Sequence, residues 1–461
     1  MRIESMVKPR SVAIIGASRD PEKVGHIILQ NYLNAGYSGK LYPVNKEADS
    51  ILGIKAYPDI SKIKEKVDLA VIAIPAKLVP GVMEECGKAG VKSVIVVSGG
   101  FAEVGETELQ NKLASIAIKY GMPTLGPNCL GVMDPRSRVD TLFLPTYKLS
   151  RPQIGGVSFM AQSGAVGSTV LDMISGEGFG LSKFFSYGNA AHVDEVDILR
   201  YLAEDNDTKV IVMYLEGIKR GKEFLKAARE TTNKKPVIVL KAGRTSAGMA
   251  AAHSHTAALA GDYQVHEAAF RQSGMTVAND LSELLNYAKI FETEPAPRGG
   301  NVAIITNGGG MGVLTTDAIA SSKRLKLASF SDKTKASLRK TMPSLVNIRN
   351  PLDLAGDADG KRYSDAMDAI KDDENIDMLI VITLFQTPGA DSTVASSIIR
   401  IKESFGKPLI ALCAGASYTQ MHKIMMESAG VPVYDSPSAA AASLEATLKY
   451  SMFKKQMPDE L

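Results

Sequence analysis

Cysteine, tryptophan and net charge are all scarce in this sequence. Its 461 residues include three cysteines and no tryptophan, and 53 basic against 50 acidic side chains leave a formal charge of +3. So few cysteines exclude a disulfide framework and fit a reducing compartment. A charge so close to zero gives no sign of the basic surface of a nucleic-acid or membrane-surface protein.

Long apolar runs and targeting signals are also missing. No run reaches the roughly 20 residues that span a bilayer, and the first residues, Met1 to Ser5, lack the apolar centre of a signal peptide. We therefore expect a cytoplasmic protein without membrane contact. At about 150 residues a domain, the length predicts three domains.

One device recurs three times, an apolar strand that runs into a loop of small residues and then a helix. It begins at Val12, at Val157 and at Val302. Further apolar runs alternate with segments of helical pattern between these openings. Strands that alternate with helices predict parallel sheets covered by helices on both faces. We expect an α/β fold of three doubly wound parallel-sheet domains.

The second and third openings match without a gap. Val157, Gln162, Gly164, Gly167 and Asp172 correspond to Val302, Asn307, Gly309, Gly312 and Asp317. The match predicts a duplicated domain, and a stretch rich in proline and glycine before the third opening is typical of a linker. The predicted boundaries are 1–130 for the first domain, 150–290 for the second, 291–300 for the linker and 298–455 for the third.

The first domain lacks the pattern of a dinucleotide enzyme. Its opening, Gly16 to Gly25, departs from the Gly-x-Gly-x-x-Gly fingerprint, and Asn45 and Lys46 stand where an NAD site would have a carboxylate. A lysine there suits the 3′-phosphate of coenzyme A. Ligands of such sheets bind beyond the carboxyl ends of the strands. The coenzyme A contacts predicted at those ends are Gly16, Ser18, Lys23, Asn45, Lys46, Ile74, Pro75, Ser98, Gly99, Asn128 and Cys129.

The two later openings have the composition of anion sites. A helix N-terminus presents free N–H groups and the positive end of the helix dipole, and small residues let an anion approach. Ser163 to Ala165 and Gly308 to Gly310 both fit this description. If the two domains pack about a pseudo-twofold axis, both helix ends would face one phosphate.

A histidine stands among small residues between Ala250 and Gly261. A core histidine usually has large apolar neighbours, and a metal histidine has a second ligand at suitable spacing. The alanines and hydroxyls around His255 are typical of an accessible loop that carries a nucleophilic imidazole. From this stretch alone, surface histidines without a role remain an equal alternative for His253 and His255.

Taken together, these residues resemble the α subunit of the NDP-forming acyl-CoA synthetases, within which the ADP-forming acetyl-CoA synthetases are the nearest group and succinyl-CoA synthetase is a relative. The resemblance covers essentially the whole chain. Its most specific motifs are Ser254-His255-Thr256, followed by Leu259-Ala260-Gly261, and Gly126 to Gly131. The family usually has glycine after Ser-His-Thr, where this chain has Ala257.

The resemblance implies an acid–thiol ligase in which acyl-CoA, phosphate and ADP give acid, CoA and ATP through an acyl phosphate and a phosphohistidine. It implies one Rossmann-like and two flavodoxin-like domains. His255 would be the phosphorylated residue and Glu216 would hold its ring, while His253 lies outside the motif. The implied phosphate contacts are Ser163, Gly164, Ala165, Gly188, Asn189, Asn307, Gly309 and Gly310.

The family also implies a partner. The sequence shows neither a phosphate-binding P-loop nor a segment left over for an ATP-grasp module. We expect ADP or ATP and Mg²⁺ on an ATP-grasp β subunit in an α2β2 heterotetramer, and we see no metal-ligand motif in this chain. A loop from about Arg244 to Gly261 would swing between the two sites.

Three alternatives remain open at this point. A coenzyme A-binding regulatory protein would keep the fold without the chemistry, although the presence of both His255 and Glu216 argues against it. An NAD(P)-dependent oxidoreductase is disfavoured by the first domain. A succinyl-CoA synthetase shares the chemistry, but the third domain on the same chain favours the acetyl type.

Overall fold

The computed structural model describes residues 3–177, 179–250 and 263–456. Contacts divide the chain into two units, Met1–Gly176 with Gly180–Ala278, and Glu177–Phe179 with Asn279–Leu461. The first and second predicted domains therefore share one unit. The boundary between the two units falls before the predicted linker. The helix that follows this boundary packs Ile290 into the core of the second unit and therefore belongs to that unit.

Strands and helices alternate along the chain. The strands are β1 (Ser11–Ile15), β2 (Lys40–Val44), β3 (Ser50–Ile51), β4 (Ile54–Lys55), β5 (Leu69–Ile72), β6 (Ser93–Val96), β7 (Thr124–Leu125), β8 (Gly131–Asp134), β9 (Val139–Asp140), β10 (Ile154–Ala161), β11 (Leu181–Ser186), β12 (Val210–Leu215), β13 (Val237–Lys241), β14 (Thr276–Val277), β15 (Asn301–Thr306), β16 (Lys326–Leu327), β17 (Leu352–Asp353), β18 (Met378–Ile382), β19 (Leu409–Leu412) and β20 (Val433–Tyr434). The helices are α1 (Glu4–Val7), α2 (Val24–Asn34), α3 (Val79–Lys88), α4 (Thr107–Tyr120), α5 (Gly164–Gly176), α6 (Glu195–Glu204), α7 (Gly221–Thr232), α8 (Tyr263–Gln272), α9 (Leu281–Thr293), α10 (Gly309–Ser321), α11 (Asp332–Thr341), α12 (Gly360–Ile370), α13 (Ser392–Phe405), α14 (Ser417–Ser428) and α15 (Pro437–Gln456).

The first sheet has the order β2-β1-β5-β6-β7, and all its neighbours run parallel. Every residue of β1, β5 and β6 is buried. Runs of β-branched residues suit such strands because helices cover both faces of a parallel sheet. The carboxyl ends of β1, β5 and β6 consequently open side by side at one edge.

The second sheet, in the same unit, has the order β14-β13-β12-β10-β11-β8-β9. The strands from β14 to β11 pair in parallel, but β8 pairs antiparallel with β11 and forms a hairpin with β9. This hairpin directly follows the first sheet in the sequence. One buried apolar cluster contains side chains of both sheets, such as Val71 and Met213. The first two sheets form one unit because they share this apolar cluster and because the hairpin continues the chain of the first sheet into the second sheet.

The third sheet, in the second unit, has the order β16-β15-β18-β19-β20, with β17 beside the end of β15, and its pairings are parallel. Two apolar clusters cover its two faces. The predicted α/β class with three mostly parallel sheets is thus confirmed. Among the described residues, no helix is both long enough and apolar enough to cross a lipid bilayer.

Candidate functional site

Two adjoining cavities lie at the carboxyl ends of β1, β5 and β6. They measure about 550 and 900 Å³ and share Gly16, Asn45, Ile74 and Pro75. Ser18, Lys23, Ser98 and Gly99 also line the smaller cavity, and Lys46 lines the larger one. Nine of the eleven predicted coenzyme A contacts are thereby brought together in one groove.

Glycine is required where this groove begins. Gly16 has φ +92°, and a Cβ added there would lie 2.3 Å from the carbonyl oxygen of Ala73. A Cβ on Gly25 would lie 2.0 Å from the carbonyl oxygen of Gly16. Only residues without a side chain let β1 turn this closely into α2 and leave the backbone open to a ligand.

Asn45 holds the backbone of the groove in place, and the next residue, Lys46, carries a positive charge. Its Nδ2 donates to the carbonyl oxygen of Ala17 at 2.7 Å, and its Oδ1 accepts from the N–H groups of Glu47 and Ala48. Lys46 is exposed beside the larger cavity. Phe143 also lines the smaller cavity, and this residue was not predicted from the sequence. It lies more than 40 positions further along the chain than any other residue that lines this cavity.

Asn128 and Cys129, the other two predicted contacts, do not line these cavities. Cys129 is buried, its Sγ donates to the carbonyl oxygen of Val96, and burial raises the pKa of the thiol to about 12. The N–H of Asn128 donates to the carbonyl oxygen of Ser98 at 2.9 Å. These two bonds hold the loop of Asn128 and Cys129 against the end of β6 and the rim of the groove.

The start of α5 is open to an anion. Ser163 Oγ accepts weakly from the N–H of Val166 at 3.3 Å. Gly164 and Ala165 belong to the first turn, whose N–H groups have no acceptor within a helix, and Ala165 is exposed. A Cβ on Gly164 would approach Leu130 to 3.3 Å. The sequence therefore forms a helix end with donors and little side-chain bulk.

The loop after β11 lies against the loop of Asn128. Gly188 has φ +51°, and an added Cβ would lie 2.1 Å from the carbonyl oxygen of Asn128. The N–H of Asn189 donates to the carbonyl oxygen of Pro127 at 3.0 Å. Lys219 Nζ donates to the carbonyl oxygen of Asn189 at 3.0 Å. The predicted phosphate contacts Gly188 and Asn189 are therefore anchored to the first domain, and the cation of Lys219 lies beside them.

Glu216 follows the last residue of β12 and is 7% exposed. Gln162, which follows the last residue of the neighbouring strand β10, accepts through Oε1 from the N–H groups of Glu216 and Gly217. Its Nε2 donates to the carbonyl oxygen of Gly217 at 3.0 Å. Burial, and then the negative charge of Glu216, raises the pKa of Tyr214 to about 12. The backbone that carries Glu216 is thus held firmly at the strand end.

The second unit repeats this clamp with Asn307. Its Oδ1 accepts from the N–H of Leu384 at 2.8 Å, and its Nδ2 donates to Leu384 and Thr387. Gly309 and Gly310 are exposed in the first turn of α10. Of the three phosphate contacts predicted at this opening, Asn307 uses its side chain to hold the neighbouring loop. Gly309 and Gly310 are exposed at the start of the helix.

The predicted phosphohistidine, His255, and its neighbour His253 lie outside the described residues. So do the other residues of the Ser-His-Thr motif and its Leu-Ala-Gly continuation. The described segment before them shows Gly243 at φ +76° and exposed Arg244 with its guanidinium carbon 5.5 Å from the ring centre of Tyr263.

Family models cover all three sheets. A coenzyme A binding domain matches residues 10–135, a succinyl-CoA ligase like flavodoxin domain matches 154–291, and a ligase-CoA domain matches 302–452. Coenzyme A binding and CoA ligase domains together define the class of protein, a coenzyme A ligase.

Relatives narrow the class to one family. The α subunit of acetate–CoA ligase (ADP-forming) II from Pyrococcus furiosus is 41% identical over 97% of both chains. The acetate–CoA ligase (ADP-forming) of Methanocaldococcus jannaschii is 41% identical over 97% of this chain, which spans 63% of that longer protein. The structure of a Korarchaeum cryptofilum acetyl-coenzyme A synthetase in complex with phosphate and ADP is 35% identical with a TM-score of 0.93, over 98% of this chain and 97% of the other. The chain belongs to the family of ADP-forming acetate–CoA ligases.

Proposed function

We propose that this chain is the α subunit of an ADP-forming acetyl-CoA synthetase, which converts acetyl-CoA, phosphate and ADP into acetate, CoA and ATP. The observation that carries this proposal is the arrangement within the first unit. A groove suited to coenzyme A, an open helix start and Glu216, whose backbone Gln162 holds, all stand at strand carboxyl ends. Ligand chemistry in such sheets is concentrated at those ends.

The groove fits the chemistry of coenzyme A. Exposed Lys23 and Lys46 are suitable cations for its phosphates. Ile74, Leu78 and Val82 give the larger cavity an apolar wall that suits a flat base or an aliphatic arm. Coenzyme A is an extended ligand with both charged phosphates and apolar groups. Such a ligand fits two adjoining cavities better than a compact mononucleotide does.

In the first step, an oxygen of phosphate attacks the thioester carbon. The new C–O bond forms, the C–S bond breaks, and the proton of the phosphate passes to the departing thiolate, giving acetyl phosphate and CoA. The N–H groups of Ser163, Gly164 and Ala165 would stabilise the phosphoryl oxygens from the end of α5. Gly188 and Asn189 are further proposed contacts, and Gly309 and Gly310 form a second proposed phosphate-binding helix start.

In the second step, one ring nitrogen of His255 attacks phosphorus. The N–P bond forms, the bond to the acetyl oxygen breaks, and acetate leaves. Histidine is suitable because its neutral ring is available near pH 7. Glu216 would accept a hydrogen bond from the other ring nitrogen, hold the tautomer and stabilise the cationic ring that forms.

In the third step, the phosphoryl group passes from His255 to ADP. We propose that ADP and Mg²⁺ bind to an ATP-grasp β subunit, that the complex is α2β2, and that it works in the cytoplasm. A loop from about Arg244 to Gly261 would carry the histidine between the sites.

Acid-labile phosphorylation tests the proposal. The full chain is incubated with acetyl-CoA and labelled phosphate, alone and with its β subunit. We expect acid-labile, base-stable label that is lost in His255→Ala and kept in the matched control His253→Ala. Glu216→Gln should slow labelling by about 10²- to 10⁴-fold, the usual weight of a proton-handling group.

The outcomes separate the alternatives. Absence of label in the wild-type chain, both with acetyl-CoA and with ATP plus the β subunit, would leave a coenzyme A-binding regulatory protein. Faster labelling with succinyl-CoA than with acetyl-CoA would assign the chain to succinate instead. Labelling that survives His255→Ala would refute the assigned nucleophile.

A further inference from the structure

One carboxylate joins the loop after β6 to the loop after β11. Glu103 lies in the short turn Ala102–Val104, beyond the end of β6. Its Oε1 accepts from the N–H of Gly100 at 2.5 Å and from that of Phe101 at 3.2 Å. Its Oε2 accepts from Nδ2 of Asn189. One oxygen therefore shapes the loop beside the coenzyme A groove, and the other holds the loop of the predicted phosphate contacts.

The bridge is charged. Burial by itself raises the pKa of Glu103, but the hydrogen bonds from Asn189 and from the loop backbone outweigh burial and lower it below its ordinary value. Both oxygens of the ionised group accept hydrogen bonds. Hydrogen bonds to a carboxylate are about twice as strong as those between neutral groups, so this contact is stiffer than a neutral side-chain pair.

The other end of the bridge is equally well held. Besides its bond to Glu103, Asn189 Nδ2 donates to Gln110 Oε1 at 3.0 Å, and Asn189 Oδ1 accepts from Asn128 Nδ2 at 3.3 Å. A Cβ on Gly99, a residue of the groove, would lie 3.2 Å from Glu103 Oε1. The loop that carries Gly188 is therefore bonded to the rim of the groove, and these contacts restrict its movement relative to the rim.

We propose that Glu103 is a positioning residue that couples coenzyme A in the groove to phosphate at the loop of Gly188. The inference rests on the function proposed above. Attack on the thioester requires the reacting atoms to meet at roughly 3 to 3.5 Å, and a shift of about 1 Å can cost about 10²-fold in rate. A ligand that orders the loop of Gly99 and Gly100 also orders Asn189 through Glu103, so each ligand favours binding of the other.

A double-mutant cycle tests the bridge. Glu103→Ala, Asn189→Ala and the double variant are compared in the first-turnover rate of phosphohistidine formation. We expect each single change to slow this step by about 10- to 100-fold. The double change should cost clearly less than the two costs combined, because both single changes remove the bond that the two side chains share. Two costs that simply add would overturn the proposal.

Calorimetry provides a readout that needs no turnover. The Kd of coenzyme A is measured on the full chain with and without inorganic phosphate. Phosphate should tighten coenzyme A binding in the wild type, and this linkage should vanish in Glu103→Ala. Linkage that is unchanged in the variant, or absent from the wild type, refutes the coupling. Because this arm is independent of His255, it distinguishes failure of the bridge from failure of the proposed function.

Two further variants separate positioning from folding. Asn189→Asp sets two carboxylates against each other, whereas the pair Glu103→Gln with Asn189→Asp restores a donor and an acceptor and should recover most of the rate. Glu106→Ala, an exposed carboxylate of the same loop, is the matched control and should behave as the wild type. Failure of the exchanged pair to improve on Asn189→Asp, with both folded, would count against the bridge.

Discussion

Glu195 is a buried side chain that should make the free energy of unfolding depend on pH. It begins α6 and is 1% exposed, and among the described residues its Oε1 has no hydrogen-bond partner. Burial, and then the neighbouring carboxylate of Asp194, raises its pKa to about 7. In the unfolded chain it would titrate near the ordinary value of a glutamate, 4.5.

This difference in pKa predicts a loss of stability as pH rises. Below pH 4.5 both states are protonated, but between 4.5 and 7 the unfolded state loses its proton first, so the folded state is increasingly disfavoured. The shift corresponds to about 3 kcal/mol. Glu195→Gln should therefore stabilise the chain more at pH 8 than at pH 5 in urea unfolding. Equal effects at both values would contradict the assignment, and exposed Glu223→Gln is the control.

At the scale of elements, the hairpin β8–β9 is fastened to β11 by buried charge. Lys183 of β11 is fully buried, with Nζ 2.7 Å from Asp205, 3.4 Å from Asp207 and 3.8 Å from Asp134 of the hairpin. Burial raises the pKa of Asp134, and the charge of Lys183 opposes this increase. The cluster holds together strands that no local sequence pattern would pair.

Removing the cation should be costly. Lys183→Met removes the buried cation beside the buried carboxylates of Asp134 and Asp205 and leaves the more exposed Lys8 near Asp205. Breaking a buried pair in this way typically costs about 3 to 5 kcal/mol. Urea unfolding at pH 7 measures the loss, with Lys226→Met, whose side chain is 72% exposed, as the control. A loss below about 1 kcal/mol, the usual range of a surface pair, would show that the cluster contributes little.

Sequence reasoning succeeded where a short pattern determines the structure. The three openings predicted the alternating fold. Nine of the eleven residues predicted to contact coenzyme A line one groove, because parallel strands bring their carboxyl ends to one edge, and their contact with coenzyme A stays a prediction. The matched residues Gln162 and Asn307 even make the same backbone clamp. The clamp shows a difference between the copies, because Leu384 of the second copy occupies the position of Glu216 in the first.

What sequence reasoning missed depends on contacts between distant segments. Glu103 and Asn189 are 86 positions apart, and the sequence around each residue does not predict that they pair. The hairpin β8–β9 lies in the sequence just after the predicted end of the first domain at residue 130, and its hydrogen bonds join it to the second sheet. Side-chain bonds and register over such separations are set by the packing of whole elements, which periodicity and composition do not encode.

At the scale of the whole molecule, the three predicted domains divide into two units. The second unit has its own sheet with an apolar cluster on each face. The first two domains instead share a cluster in which residues of both sheets pack together, and the segment after β11 adds backbone hydrogen bonds from Asn189 to Pro127 and from Val193 to Thr124. Folding should therefore be cooperative within each unit and not within each predicted domain.

Fragments test this expectation. A fragment of residues 279–461 should unfold cooperatively on its own, as should residues 1–278, because each retains its complete core. In a fragment of residues 1–130, the part of the apolar cluster that packs against the second sheet is exposed, and the fragment should aggregate or melt without a sharp transition. Circular dichroism on heating distinguishes these outcomes. A sharp transition of the 1–130 fragment, comparable to that of residues 1–278, would mean that the shared core is dispensable and that the domain boundary predicted from sequence is also the boundary of folding.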